Sequence, residues 1–298
     1  MIYADDTQLY IILKNDERAS GIVQLQDCLK DIKSWSTKNF LKLNENKTEV
    51  IHFSSRHRPV SPLSSITLNN TSICPVSSAR NLGVLFDTHL SLNNHVSNVC
   101  RAASFALHRI GSIRQYLDVK STENLVHSFV MCRIDTCNSL LYGLPDTQIA
   151  RLQRIQNSAA RLVTRTRTWE SITPILKDLH WLPIRARIDF KVLVWTYQCI
   201  HGIAPVYLQS LVQEYKTTRN LRSSNKSLLT PPVIKTKSYG SRSFQYAAVQ
   251  LWNSLPEVVK QAETSEQFKT RLKTYLFTLF NNCFLPLVTS IHCCGKFY

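Results

Sequence analysis

Met1-Ile2-Tyr3-Ala4-Asp5-Asp6-Thr7-Gln8-Leu9-Tyr10-Ile11-Ile12-Leu13 opens a chain of 298 residues. Apolar residues flank an acidic pair, so the stretch reads as strand, acidic turn and strand, the first strand cut to almost nothing. Working outward, residues 16–40 carry Ile22, Leu25, Leu29, Ile32 and Trp35 at helical spacing. Leu41-Lys42-Leu43 and Glu49–Phe53 flank Asn44–Lys47 and predict a strand–turn–strand. Residues 54–65 read as a Ser/Pro-rich loop, and Ile66–Ile73 and Asn81–Phe86 as further short strands. The first 90 residues are therefore expected to be α+β, hairpins plus one helix.

Beyond Leu90 the texture turns helical. Residues 94–117 place Val96, Val99, Ala103, Leu107, Ile110 and Leu117 on one side. A second helix is expected over 121–142, with Ser121 as its N-cap, and Gly143-Leu144-Pro145 breaks it. A third is expected to start at Asp146 and reach about Thr166. A fourth follows His180-Trp181-Leu182-Pro183 and runs to Ile200, closed by Gly202. Residues 215–243 read as a basic linker around Pro231-Pro232, and helix resumes over 244–252 and 265–280. The expected organisation is 1–90, a helical region 91–214, the linker 215–243, C-terminal helices 244–280 and a tail 281–298.

Lys and Arg number 36 against 20 Asp and Glu, a net charge of +16. Most of the excess lies in residues 140–250, which hold 16 basic and five acidic side chains. That sign favours an anionic partner. A hydrophobic content of 44% and a mean hydropathy of −0.14 exclude a disordered polyelectrolyte. The uncharged stretch 274–294 is interrupted by Asn281, Asn282, Pro286 and His292, so no membrane span is expected. Nine scattered cysteines without a secretory signal read as reduced thiols in a nuclear or cytoplasmic protein that is not secreted. His127, Cys132 and Cys137 lack a fourth zinc ligand in pattern, and His292-Cys293-Cys294 is an isolated cluster.

The helix expected from Asp146 carries a basic stripe. At about 100° per residue, Arg151, Arg154, Arg161 and Arg165 fall within a sector of about 80°. Ile149, Leu152, Ile155, Ala159, Leu162 and Val163 lie on the other side. No Asp or Glu occurs from 147 to 169 to neutralise the arginines. Guanidinium groups pair with phosphate oxygens in bidentate geometry, so the stripe suits a nucleic-acid backbone. Residues 215–256 are also free of acid and carry Lys216, Arg219, Arg222, Lys226, Lys235, Lys237 and Arg242. There Tyr215, Tyr239 and Phe244 are candidates for stacking on unpaired bases. A solvated face and a basic loop are the plain alternatives. Trp169, Trp181, Trp195 and Trp252 are expected to serve the helical core.

Two adjacent carboxylates at a strand turn can hold Mg2+, and two such ions would stabilise in-line attack on a nucleotide phosphate. A solvated acidic turn is the alternative for a bare Asp-Asp pair. Tyr3-Ala4-Asp5-Asp6 resembles the catalytic turn of reverse transcriptases, specifically those of non-LTR (LINE, jockey-like) retrotransposons. Leu43-Asn44-Glu45-Asn46-Lys47-Thr48-Glu49 and Asn81-Leu82-Gly83-Val84-Leu85-Phe86-Asp87 resemble the segments that follow it. Further similarity lies in Arg133-Ile134-Asp135, Cys137–Pro145, His180-Trp181-Leu182-Pro183-Ile184-Arg185, Arg187 and Leu251-Trp252-Asn253-Ser254-Leu255-Pro256.

The resemblance implies a truncated palm over 1–90 followed by a mostly helical thumb and C-terminal region. It implies that Asp5 and Asp6 bind metal in an RNA-directed DNA polymerase. Tyr3 would lie against primer or nucleotide, Lys47 would protonate the leaving pyrophosphate, and Leu82-Gly83 would turn a hairpin gripping the primer end. Arg151, Arg154, Arg161, Arg165, Lys216, Arg219 and Arg222 would hold the backbone of RNA template and DNA primer. The family's third carboxylate, its fingers and its endonuclease lie upstream of the turn. The chain is therefore expected to be a C-terminal fragment, inactive alone, with Mg2+ belonging to the full-length enzyme and not stably bound here. The rival expectations are a non-catalytic nucleic-acid-binding remnant and a pseudogene product.

Overall fold

A computed structural model of the chain describes residues 2–3, 6–13, 18–55, 63, 65–68, 71–215 and 227–282. The chain divides into two units, Met1–His95 and Val96–Tyr298.

In the first unit β1 (Ile2–Tyr3) pairs antiparallel with β2 (Asp6–Thr7), Ile2 opposite Thr7 and Tyr3 opposite Asp6. Helix α1 (Arg18–Lys38) follows and buries only Gly21 and Ser36, while Trp35 stays 60% exposed. Gly21 is where Leu13 comes closest, since a Cβ there would stand 2.8 Å from its methyl.

The strand expected at 41–43 does not form. Instead Glu45–Lys47 is one tight 3-10 turn, and β3 (Val50–Ile51) pairs in parallel with a later strand. The cause lies in what the turn bonds. Glu45 accepts from Lys33 Nζ at 3.3 Å and Thr71 Oγ1 at 2.9 Å, and Thr48 Oγ1 donates to the Asn44 carbonyl at 3.0 Å. The Thr48 bond closes residues 44–48 on themselves and the Glu45 bonds tie them to α1 and to Thr71, so they do not serve as a hairpin turn.

The segment read as one strand over 66–73 is β4 (Ile66–Leu68) and β5 (Thr71–Ile73), paired antiparallel. Strand β6 (Pro75–Val76) takes β3 alongside. Over 81–86, read from its spacing as a short strand, the chain forms a hairpin, β7 (Ser78–Asn81) and β8 (Val84–Asp87), turned at Leu82-Gly83, the turn that the resemblance implies. Its two loop residues, Leu82 and Gly83, both have positive φ, 44° and 85°. Such a two-residue loop matches the right-handed twist of the flanking strands.

The Asp87 carboxylate then organises the exit. It accepts from His89 N at 3.1 Å, Ser91 N at 2.9 Å and Leu92 N at 2.7 Å, which holds Leu90 and Leu92 at positive φ. Burial pushes the Asp87 carboxyl up, but these hydrogen bonds outweigh it and leave it below its ordinary value.

Helix α2 (Asn93–Ile113) buries Val96, Ala103 and Ile110. The next helix begins earlier than expected, as α3 (Val119–Val126), and its N-cap is Asp118, whose side chain accepts from Ser121 N at 2.8 Å. Ser121 is thus the capped residue. The helix does not run unbroken to 142. It widens to a π turn at His127–Met131, resumes as α4 (Cys132–Asp135), and breaks at Cys137, where φ is 53°. Helix α5 (Asp146–Thr164) ends at Arg165 with φ 58°.

Helix α6 (Ile172–Asp178) was not expected from the spacing. Helix α7 (Ile184–Ile200) is central to this unit, and the short α8 (Val206–Gln209) follows. Three further helices, α9 (Lys237–Gly240), α10 (Phe244–Ser254) and α11 (Glu257–Lys260), lead to α12 (Ser265–Asn282). Helices α10 and α12 pack on α7 around Leu193, Tyr197, Trp252, Phe268 and Leu272. Tyr197 stacks on Phe268 at 4.4 Å and donates its hydroxyl to the Ala262 carbonyl at 2.9 Å. Trp181 and Trp252 are buried as expected, but Trp169 is 74% exposed and stacks under Arg167.

The linker expected over 215–243 is corrected at its described parts. Leu229 belongs to the core, 2% exposed, and its neighbours pair with 213–215. Asn253 grips it from both sides, donating Nδ2 to the Leu229 carbonyl at 3.0 Å and accepting the Leu229 N–H at 2.9 Å. Trp252 Nε1 donates to the Ser227 carbonyl at 2.9 Å. Replacing Asn253→Ala strands two backbone groups, so urea unfolding should show a loss of about 1–3 kcal/mol.

Candidate nucleic-acid interface and catalytic turn

The acidic turn of the first unit is approached by paired strands. Asp6 is exposed beside Tyr3 in the register; Ala4 and Asp5 lie outside the described residues, as does the side chain of Tyr3. The structure joins two of the motifs. Gln8, just past β2, donates Nε2 to Asn81 Oδ1 at 2.5 Å, immediately before the Leu82-Gly83 loop. The hairpin holding Asp6 and the hairpin holding Gly83 are therefore bonded to each other. Lys47 stands exposed on its 3-10 turn, with no carboxylate partner among the described residues. Among the described residues no group of three or more His, Cys, Asp or Glu is placed to hold a metal ion.

The arginines of α5 divide by what they bond. Arg151 donates to Ser97 Oγ at 2.9 Å. Arg154 is exposed and, among the described residues, bonds only the Ala150 carbonyl of its own helix, at 3.3 Å. Arg161 donates to the carbonyls of Arg167 and Glu170, and Arg165 to that of Arg114. Arg161 and Arg165 thus spend hydrogen bonds on backbone carbonyls outside α5, in the loop that follows it and at Arg114. The last carbonyls of α5, which lack helical partners, are met by Arg114, a buried arginine that sequence spacing did not single out. Arg114 donates to the carbonyls of Leu162 and Val163, both at 2.8 Å. Lys216, Arg219 and Arg222 lie outside the described residues. Tyr215 is exposed, while Tyr239 and Phe244 are half-buried.

The remaining motifs meet one another as packing elements. Arg187 forks onto both oxygens of Asp135, and Arg185 pairs with Asp146. The loop before α7 is clamped by amides of α5: Gln156 Nε2 donates to the Leu182 carbonyl, and Gln153 Oε1 accepts from Ile184 N, both at 2.9 Å.

One titrating group was missed. Asp189 on α7 lines a hollow of about 340 Å3 with Tyr142, Arg185 and Tyr246. Burial pushes its carboxyl up to about 6, against a smaller opposing pull from Arg185. A single acid in an apolar helix was the only signal in the sequence.

No family model matches the chain, and no solved structure matches it. Among curated proteins it is similar to the "Probable RNA-directed DNA polymerase from transposon X-element" of Drosophila melanogaster, 25% identical over 182 residues. That match covers 59% of this chain and 19% of the relative, so the chain spans under a fifth of the relative's length. The similarity relates the chain distantly to a transposon reverse transcriptase. No helix among the described residues is long and apolar enough to cross a membrane.

The Asp189 carboxyl keeps its proton more readily in the folded chain than in the unfolded one. Its ionisation therefore costs stability as pH rises from about 4 through about 6. Asp189→Asn should melt higher than the parent chain at neutral pH, and the gap should close as pH falls toward 4, read by paired thermal melts.

Proposed function

We propose that this chain is the C-terminal part of a non-LTR retrotransposon RNA-directed DNA polymerase, whose second unit grips the nucleic-acid backbone. The observation that carries the reading is the similarity to a transposon RNA-directed DNA polymerase, in a chain whose sequence also holds Tyr3-Ala4-Asp5-Asp6, with Tyr3 and Asp6 on paired strands. The bond from Gln8 to Asn81 supports it, because it ties the acidic hairpin to the hairpin proposed to grip the primer.

In this reading Asp5 and Asp6 are the metal-binding carboxylates. Their hard oxygen donors suit Mg2+, which when bound would neutralise charge developing on the transferred phosphate. Tyr3 would lie against primer or nucleotide. Lys47, exposed and without a carboxylate partner among the described residues, would act as general acid toward pyrophosphate. The third carboxylate of the family's two-metal site belongs to a strand upstream of the turn. The 298-residue chain alone should therefore give no template-dependent incorporation in a primer-extension assay with Mg2+. Incorporation that Asp5→Ala abolishes would overturn the fragment reading.

RNA template and DNA primer are the proposed partners, held through phosphate. Arg154 is the best test, because its exposed guanidinium bonds only its own helix among the described residues. Arg154→Glu should weaken binding to DNA and RNA of every sequence alike and flatten the dependence of log affinity on log salt by about one unit. Loss of affinity confined to one sequence would refute backbone contact. A non-catalytic nucleic-acid-binding remnant is the second reading, favoured by the acid-free arginine stripe of α5; it predicts the same binding and no contribution from Asp5 or Asp6 in a longer, active polymerase.

A further inference from the structure

The C-terminal half of α2 leaves an unusual surface. Phe105, Arg109 and Ile113 stand four residues apart along one ridge of the helix. Facing them, Leu125, Phe129 and Arg133 stand four residues apart across α3, the π turn and α4. Both ridges line one groove of about 530 Å3, floored by Ala102, Ala106 and Ile110. That size lies within the range of about 300–1,000 Å3 usual for ligand clefts.

Each wall therefore offers an aliphatic side chain, a phenylalanine and an arginine. The rings are not core residues that happen to show an edge: Phe105 is 64% exposed and Phe129 51%. Arg109 lies over the Phe105 ring, 5.8 Å from its centroid, and Arg133 Nε donates to the Phe129 carbonyl at 3.1 Å. No acid lines the groove, and neither arginine meets a carboxylate among the described residues. The backbone adds an independent sign. Phe129 sits in the middle of the π turn His127–Met131, a widened turn that is rare in helices and concentrated at functional sites.

The geometry points to a binding groove for unpaired nucleotides, with bases stacked on Phe105 and Phe129 and phosphates on Arg109 and Arg133. This deepens the proposed function and rests on it. Charge decides the occupant: a polyanion with flat apolar faces satisfies both the arginines and the rings, whereas an apolar peptide would leave two guanidinium groups unanswered. Pairing state follows as well. A duplex hides its base faces, so phosphate contact alone would give no use to two exposed rings; unpaired bases offer a π face whatever their sequence. The site is separate from the α5 stripe, whose arginines carry no aromatic partners among the described residues.

Fluorescence anisotropy with the full chain tests this. The probes are a labelled oligouridine strand and an RNA–DNA duplex of equal length, at low salt. Both rings are exposed, so Phe105→Ala and Phe129→Ala should keep the fold, checked by circular dichroism. The double variant should lose at least about tenfold in affinity for the single strand while duplex binding stays within about twofold. An aminopurine base placed in the strand should be quenched by the parent chain and not by the double variant. Unchanged single-strand affinity and quenching would overturn the groove while leaving backbone binding standing. Failure of the parent chain to bind either probe would overturn both. Sedimentation showing a dimer that the double variant dissolves, with RNA affinity unchanged, would reassign the groove to self-association and overturn the proposal.

Discussion

Helix α7 has almost no solvent side, and the second unit is arranged around that constraint. Its buried residues, Ile184, Ile188, Val192, Leu193, Val194, Thr196, Tyr197 and Cys199, point in nearly every direction around the axis. A helix that is apolar all round must be surrounded. Helices α5, α10 and α12 and the 3-10 turn at Asn138–Leu141 all pack on it. Even the basic segment beyond α8 contributes Leu229 to this core. Without that central helix the apolar faces of α10 and α12 would have nothing to cover them.

Covering such a helix leaves backbone groups with nowhere to turn, and amide side chains answer them. Gln153 and Gln156 satisfy the loop entering α7, and Asn253 satisfies both polar groups of Leu229. A buried amide left unpaired costs more than its bond contributes when made, so these residues are held to their positions. The fork of Arg187 on Asp135 does similar work between helices at partial burial. The segments that resemble a polymerase family are thus, in this unit, mainly the pieces that close the core. Their chemistry is packing and backbone satisfaction, and they hold in place the surfaces that carry charge.

The charge itself separates into two kinds. Arg161 and Arg165 near the C-terminal end of α5 are committed to carbonyls outside that helix, and buried Arg114 answers two carbonyls of its last turn. Among the described residues, Arg154, Arg109 and Arg133 make no such commitment beyond their own helical segments. A net charge counts both kinds equally, but only the second is available to a phosphate. The excess of positive charge over residues 140–250 therefore overstates what the described surface offers to a polyanion, and part of the offer lies on α2 and α4, outside that block.

Period and punctuation made the long helices legible. The spacing of Val96, Ala103 and Ile110 placed α2, and Pro183 and Gly202 bracketed α7, because repeating apolar contacts along one axis leave their period in the sequence. The hairpin turn at Leu82-Gly83 was legible from its glycine and from the resemblance, although apolar patterning alone drew 81–86 as one strand. The strand pairings were not legible. Whether Val50-Ile51 pairs with 41–43 or with Pro75-Val76 depends on where Glu45 finds Lys33 and Thr71, which is a contact in space and not a pattern in sequence. The same holds for the proposed sites. Asp5-Asp6 and the arginine stripe are adjacent or periodic, so the chain announced them. The bond from Gln8 to Asn81, the commitment of Arg161 and Arg165 to carbonyls, and the facing of Phe105 by Phe129 join residues far apart in the chain. Sequence by itself determined where the long helices lie and where charge accumulates, since both follow from local composition and period; only the tertiary structure decided which charges and rings remain exposed, because that depends on what each side chain meets after the chain has folded back on itself.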